Sequence, residues 1–261
     1  MIKTNNISFA YVRNRQVLKN ITFSLEKGKA LAIVGASGCG KSTLLRVVSG
    51  ILPNNKKNSL QGNVIINERT SDNYRKTGKL AFMFQEAALM PNLTVKENIS
   101  LPFKLKGQKS PQLVRDLIKT VGLEEAENYL PKQLSGGMKT RVALARSFVT
   151  NPELLLLDEP FSALDIAWKS KLYIELEKLK EATNSTILIV THDVQEALLL
   201  ADHVIVLNSW GSIETTVNIV SDFSIMDRVT NITSYMNSVY EKYMMPIQEA
   251  IINGQNRENE K

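Results

Sequence analysis

The sequence predicts an α/β fold with a mainly parallel sheet, an antiparallel β subdomain at the N-terminus and a helical subdomain inserted in the middle. Three observations predict it. The apolar runs "LAIV", "LLLL" and "ILIV" alternate with helix-like segments, which implies parallel strands covered on both faces. The first third reads as short strands and turns. Between Gln85 and about residue 152 there is no long apolar strand, only helical pattern.

In order, "NISFAY" alternates as a half-buried strand, and "VLKNITFSLEKGKALAIVG" gives two strands around a turn at Lys27-Gly28. A helix is expected from about Lys41 to Gly50, and "PNNKKNSLQG" is loop by composition. "NVIIN" and "KLAFMFQ" read as strands. "TVKENISLPFKLK" and "SPQLVRDLIKTVG" read as helices, the second with Ser110 as cap, Pro111 at its first position, and Leu113, Leu117 and Val121 on one face. In "QLSGGMKTRVALARS" Ser135 caps a further helix. Strands return at "ELLLLDEP", "TILIVTHD" and "HVIVLN". Between them lie a helix striped by Trp168, Leu172, Leu176 and Leu179 and another near "VQEALLLA". After Trp210 the pattern weakens; a helix is expected around 232–252 and a frayed tail over "NGQNRENEK". This divides the chain into a domain of residues 1–230, with the helical subdomain at about 86–152, and a C-terminal helix and tail at 231–261.

The 261 residues carry 43% hydrophobic and 22% charged side chains, ordinary for a globular protein. The net charge of +6 is scattered. Its denser spots, at 54–58, 74–79 and 104–109, read as solvated loops, so no nucleic-acid partner is expected. Cys39 is the single cysteine, which excludes an intramolecular disulfide. The first residues lack the apolar run of a secretory signal, and no stretch approaches the ~20 apolar residues of a membrane span. Any link to a membrane is therefore expected to run through a partner.

Each of the three apolar runs stops abruptly at polar residues. That edge of an open α/β sheet is where ligands bind. "GASGCGKS", Gly35 to Ser42, has the phosphate-loop pattern after a strand and before a helix. Its glycines let backbone N–H groups curl round phosphate oxygens, Lys41 reaches the terminal phosphates, and Ser42 suits Mg²⁺. Asp158 and Glu159 follow "LLLL" and point apart on an extended segment, so Asp158 suits the metal and Glu159 an attacking water. His192 and Gln85 also end strands, near the γ-phosphate and near the metal or water respectively. Tyr11 stacks on a base or packs in the core. His203 reads as a strand-edge residue. Cys39, beside a helix N-terminus and Lys41, is expected to be a reactive thiol. Ser135, Gly136 and Gly137 form a second anion cradle at a helix start, with no evident use in a chain that already has one.

Taken together, Tyr11, Gly35–Thr43, Gln85, "LSGGM" at Leu134–Met138, "LLLLDEP" at Leu154–Pro160, "SALD" at Ser162–Asp165 and "THD" with His192 resemble the ATP-binding subunit of ABC transporters over nearly the whole chain. The resemblance implies a P-loop NTPase of the ABC ATPase kind that uses ATP and Mg²⁺. It implies nucleotide contacts at Tyr11, Gly35, Ser37, Gly38, Cys39, Gly40, Lys41, Ser42, Thr43, Ser135, Gly136, Gly137 and Asp165. It places metal binding at Ser42, Gln85 and Asp158 and catalysis at Glu159, His192 and Gln85. It also gives the second cradle a use. Two such domains pair head to tail, each phosphate loop facing the signature of the other. The implied partners are a second ATP-binding subunit, membrane permease subunits and an extracytoplasmic solute-binding protein; the implied location is the inner face of the cell membrane. The family's usual fifth signature residue is Gln; here Met138 stands, whose thioether cannot donate a hydrogen bond. "LSGGM", "FQEAALMPNLTVKENI" and "DEPFSALD" resemble the branch serving nitrate, sulfonate and taurine-type importers.

Rival readings lack their features. A chromosome-maintenance ABC protein needs a long coiled coil between phosphate loop and signature. A translation-factor ABC protein carries two phosphate loops. A fused exporter needs membrane spans, and a GTPase needs an "NKxD" strand end. A non-enzymatic binding module conflicts with intact Lys41, Glu159 and His192.

Overall fold

The computed structural model describes residues 1–12, 15–52 and 59–256. Residues 53–58 of the expected loop, with its basic run, and 257–261 of the expected tail lie outside the described residues. In chain order the elements begin with β1 (Ile2–Val12), β2 (Arg15–Leu25), β3 (Ala30–Gly35), α1 (Lys41–Val48), β4 (Ser59–Ile66), β5 (Arg69–Thr70), α2 (Ser71–Arg75) and β6 (Leu80–Met83). The helical stretch follows as α3 (Val95–Leu105), α4 (Pro111–Thr120) and α5 (Gly136–Phe148). Then come β7 (Leu154–Asp158), α6 (Ile166–Thr183), β8 (Thr186–Val190), α7 (Val194–Leu200), β9 (His203–Leu207), β10 (Ile213–Asn218), α8 (Ile225–Thr230), α9 (Ile232–Val239) and α10 (Met245–Asn256).

β2, β1, β4 and β5 form an antiparallel sheet, while the larger sheet has the order β10-β9-β3-β8-β7-β6. Only β10 runs antiparallel there, so the expected mixed architecture is present. The order brings the three abrupt strand ends side by side, with β8 between β3 and β7. Val190 pairs with Ile33 on one side and Asp158 on the other. Gly35 therefore leaves the sheet two residues beyond the level of Asp158, which sets the phosphate loop over the acidic pair.

Alternation on these strands divides the core in two. Ala32, Val34, Leu155, Leu157, Ile187 and Ile189 face one layer, which also takes α3 to α7 and the C-terminal helices. Leu31, Ile33, Leu154, Leu156, Leu188 and Val190 face the other, with α1 and the antiparallel sheet. All four leucines of β7 are fully buried, as a parallel strand covered on both sides requires.

Several expectations change in detail. Pro111 opens α4, but Ser110 makes no side-chain cap. The buried residues there are Val114, Ile118 and Val121, with Leu113 and Leu117 only half-buried, because α4 meets its neighbours on a face turned by one residue. On α6, Leu172 and Leu176 are buried as expected, but Tyr173, Glu177 and Lys180 are buried too. Glu177 and Lys180 tolerate this by pairing at 3.4 Å. β10 was not legible: it is a half-exposed edge strand with mixed polarity. The C-terminal helix begins at Ile232, as expected, and runs through a π-helical turn at Tyr240–Met244 to Asn256, while the short α8, which was not expected, precedes it. Tyr235, Val239, Tyr243 and Ile247, four residues apart, bury into the same core as the sheet.

Candidate active site at the strand ends

The phosphate loop is shaped by glycines that no other residue replaces cheaply. Gly35 has φ 155°, Gly38 81° and Gly40 104°. A Cβ at Gly40 would sit 3.0 Å from both Leu18 Cδ2 and the Val17 carbonyl. One at Gly38 would meet nothing within 4 Å, so there the loop is open to the cleft. Gly40 caps α1 without a side chain, which leaves the helix's first N–H groups free for an anion. Lys41 is 5% exposed and donates to the Gly35 (2.9 Å) and Ala36 (2.8 Å) carbonyls, holding its ammonium inside the loop.

Ser42 donates to Asp158 Oδ1 at 2.7 Å. Asp158 is fully buried, and among the described residues its Oδ2 has no hydrogen-bond partner. Burial pushes this carboxyl above its ordinary range, opposed by the Ser42 bond. A buried carboxylate with a spare oxygen, beside a hydroxyl and next to an anion loop, is an oxygen donor set that fits Mg²⁺.

Glu159 has φ 48°, left-handed for a residue that precedes a proline, where extended backbone is favoured. Strain of this kind persists only where surroundings hold it. Here the Glu159 N–H donates to Val190 O at 2.9 Å, and Ser162 Oγ donates to the Glu159 carbonyl at 3.1 Å. The twist carries the carboxylate into the cleft, where its Oε2 lies 3.3 Å from His192 Nδ1. The cleft, of about 520 Å³, is lined by Tyr11, Val12, Val17, Ser37, Gly38, Gly40–Thr43, Gln85 and Glu159. Tyr11 sits at its rim: the ring stands edge-on to Phe9 at 4.9 Å, the hydroxyl is 3.2 Å from Thr43 Oγ1, and the residue is 38% exposed.

The structure thus gathers Tyr11, the phosphate loop, Gln85, Asp158 and Glu159, with His192 joined through Glu159. It does not bring Ser135, Gly136, Gly137 or Asp165 to this cleft. Ser135 caps α5, its Oγ accepting from Met138 N–H at 3.2 Å, and Ser135 and Gly136 face outward. Asp165 caps α6 through Trp168 N–H at 3.0 Å. Met138 packs against the core. The expectation of a reactive Cys39 is corrected. Its thiol is 3% exposed, turned into the apolar layer under the loop, and burial raises its pKa despite Lys41. His203 is the strand-edge residue expected, 2.9 Å from Asn218 Oδ1 across β9 and β10.

Some supporting residues escaped the sequence. Arg146 on α5 donates to the Ala87 and Ala88 carbonyls at 2.8 and 2.9 Å, holding the turn after Gln85. Fully buried Asn98 holds the same segment through both the N–H and the carbonyl of Met90. Behind His192, Lys169 on α6 reaches Asp193 at 3.6 Å and Glu196 at 3.8 Å. Glu196 is 2% exposed and its carboxyl is pushed up to about 8, chiefly by burial. The one signal for it was a charge set in the apolar helix "VQEALLLA".

Comparison with known proteins adds to this geometry. The sequence profile of the ABC transporter family matches residues 18–162, over half the chain and the span from phosphate loop through signature to Glu159. The chain belongs to the ABC transporter family. It is an ATPase of that family. It is 42% identical over 195 residues to the aliphatic sulfonates import ATP-binding protein SsuB of Bacillus thuringiensis, covering 74% of each chain. It is 46% identical over 193 residues to SsuB 2 of Pseudomonas syringae pv. tomato, covering 74% of this chain and 76% of that one. The spermidine/putrescine import ATP-binding protein PotA of Thermotoga maritima is 40% identical over 197 residues, 74% of this chain and 52% of its own. Among solved structures, the ATP-binding cassette MJ0796, a dimer in a post-hydrolysis state with ADP and Pi, matches with a TM-score of 0.76 at 30% identity, over 85% of this chain and all of that one.

Proposed function

We propose that this ABC ATPase powers uptake of a small anionic solute of the aliphatic sulfonate kind. Two copies work head to tail on separate membrane permease subunits at the inner face of the membrane, supplied by an extracytoplasmic solute-binding protein. The observation that carries the paired reading is the split of the site. The cleft holds phosphate loop and base, while the Ser135–Gly137 helix start lies outside it and faces outward. A second copy fills the cleft's missing wall with that helix start.

In this reading the α1 N-terminus, Lys41 and the loop N–H groups hold the phosphates, and Tyr11 lies against the base. Cys39 contributes backbone only. Ser42 and Asp158, with Gln85, would hold Mg²⁺, which would supply charge neutralisation for the phosphates. Glu159 takes the proton of the attacking water. His192 orients that carboxylate through its 3.3 Å contact, and in this reading it would approach the γ-phosphate. The second copy supplies the Ser135 hydroxyl and the Gly136 and Gly137 N–H groups, with Asp165 beside them. Hydrolysis is thereby tied to closure of the pair.

The sulfonate assignment rests on the relatives. A relative named for polyamine import at 40% identity supports a reading in which the ATPase chemistry is kept apart from cargo choice. Reconstitution with permease and binding protein tests it: an alkanesulfonate should stimulate ATP turnover and a polyamine should not. The opposite response reassigns the cargo. Rate per chain that stays flat down to nanomolar protein removes the pairing.

A further inference from the structure

The signature helix α5, exposed at its start and buried along its length, is also fastened to α6 by a side-chain clasp. Trp168 lies on the first turn of α6, three residues after Asp165. The guanidinium of Arg141, on α5, stacks over its indole at 3.9 Å, and Lys171 Nζ lies 4.7 Å from the same ring. Arg141 is fixed in turn, donating to the Val121 and Gly122 carbonyls at 2.6 and 3.1 Å. Gly122, at φ 60°, makes room for the indole: a Cβ there would collide with Trp168 Cη2. Nearer the helix start, a Cβ at Gly137 would be 3.2 Å from the Ala163 carbonyl and 3.5 Å from Leu164 Cδ2, so the first turn of α5 seats on the Ser162–Asp165 segment.

Arg141 follows Ser135 by six residues, roughly 9 Å along a helix. Two contacts, one at each end of that length, thus register the Ser135 helix start against the segment that follows Glu159. The ring and the guanidinium are both flat and part-buried, an arrangement that fixes orientation more sharply than aliphatic packing does. From this geometry we propose that Trp168 is a positioning residue for ATP hydrolysis, acting through Arg141 to aim its own chain's Ser135 at the nucleotide held by a second copy. The proposal rests on the paired reading and goes beyond it by naming what holds the signature in place.

The test is Trp168→Ala, with Trp168→Phe as the conservative variant that keeps a flat ring for the guanidinium. ATP affinity of the isolated chain should change less than twofold, because Trp168 does not line the cleft. kcat should fall about ten- to a hundredfold, the scale of a small misplacement remote from the chemistry. Trp168→Phe should recover most of it. Mixing locates the defect. Combined with Glu159→Gln chains, Trp168→Ala chains should regain activity, since the site with an intact base then receives an undamaged signature. Combined with Ser135→Arg chains they should not. The reverse pattern, recovery with Ser135→Arg only, would place the effect of Trp168 on its own Glu159 and overturn the proposal; so would wild-type kcat. The control is Ser135→Arg mixed with Glu159→Gln. If that pair gains nothing over its parents, the paired reading itself fails, whatever Trp168 does. Should Trp168→Ala not fold, Trp168→Leu and Gly122→Ala, which displaces the ring from the other side, go through the same mixtures; recovery with Ser135→Arg, or unaltered kcat in both, overturns the proposal equally.

Discussion

The cleft and the signature patch both lie at helix starts, yet they are built in opposite ways. In the cleft, Lys41 is 5% exposed and Asp158 fully buried, and their polar atoms bond largely within the chain. At the patch, Ser135 and Gly136 face outward, and one internal cap bond is the only use the Ser135 hydroxyl has among the described residues. Burial raises the strength of every charge in the cleft, because low dielectric screens it less. It also makes each group there costly to leave unmatched. The patch bears no such cost alone, and in the paired reading it gains electrostatic leverage when a second copy covers it. In the paired reading, a deep half and a shallow half of one site can therefore reside on one chain without reacting with each other.

Damage to either half should separate them. The largest effect is expected from Glu159→Gln: turnover falls ~10²–10⁴-fold while binding persists. With the patch intact, ATP-bound chains should then accumulate as a dimer on size-exclusion chromatography. A near-wild-type rate removes Glu159 from the mechanism. Ser135→Arg is the converse, a broken patch with a whole cleft. Turnover should drop on the order of 10²-fold with first binding of ATP unchanged. If a titration shows affinity lost in parallel, the patch serves its own cleft. Lys41→Ala removes charge-assisted contacts worth roughly 1.5–3 kcal/mol, so Kd for ATP should rise at least tenfold. Calorimetry showing no change would falsify the phosphate-loop role.

Two smaller effects probe the shell behind the cleft. Glu196, raised to about 8, holds a proton in the folded protein that the unfolded chain releases near the ordinary carboxylate value. The stabilisation this brings is complete below the unfolded pKa and is lost as pH rises through about 8. The slope is at most about 1.4 kcal/mol per pH unit. Melting temperature should therefore decline from pH 6 to pH 9, and Glu196→Gln should flatten the decline; identical slopes reject a protonated Glu196. Least of all should Cys39 respond. Maleimide should label it slowly in the native protein, with and without Mg-ATP, and quickly after unfolding. Fast native labelling that nucleotide suppresses would put the thiol in the cleft after all.

The sequence by itself determined the strand ends and what stands on them. Apolar runs that stop at "GASGCGKS", "DEP" and "THD" are local statements, because a buried strand cannot continue into charge without leaving the sheet. Ser135 as a cap and the helical insert were legible for the same local reason: cap chemistry and periodicity act over a few residues. What only the tertiary structure decided depends on partners distant in the chain. Whether Cys39 meets solvent is set by the apolar layer beneath the loop, not by its neighbours. That Glu177, Lys180 and Glu196 are buried follows from where α6 and α7 pack, and a charged residue's letter does not record its surroundings. Asn98 and Arg146 hold the Gln85 turn across eight and about sixty residues, and Trp168 meets Gly122 only after the helical subdomain folds back. Chemistry that sits on one segment is written in that segment; chemistry that is held in place by another is written only in the packing.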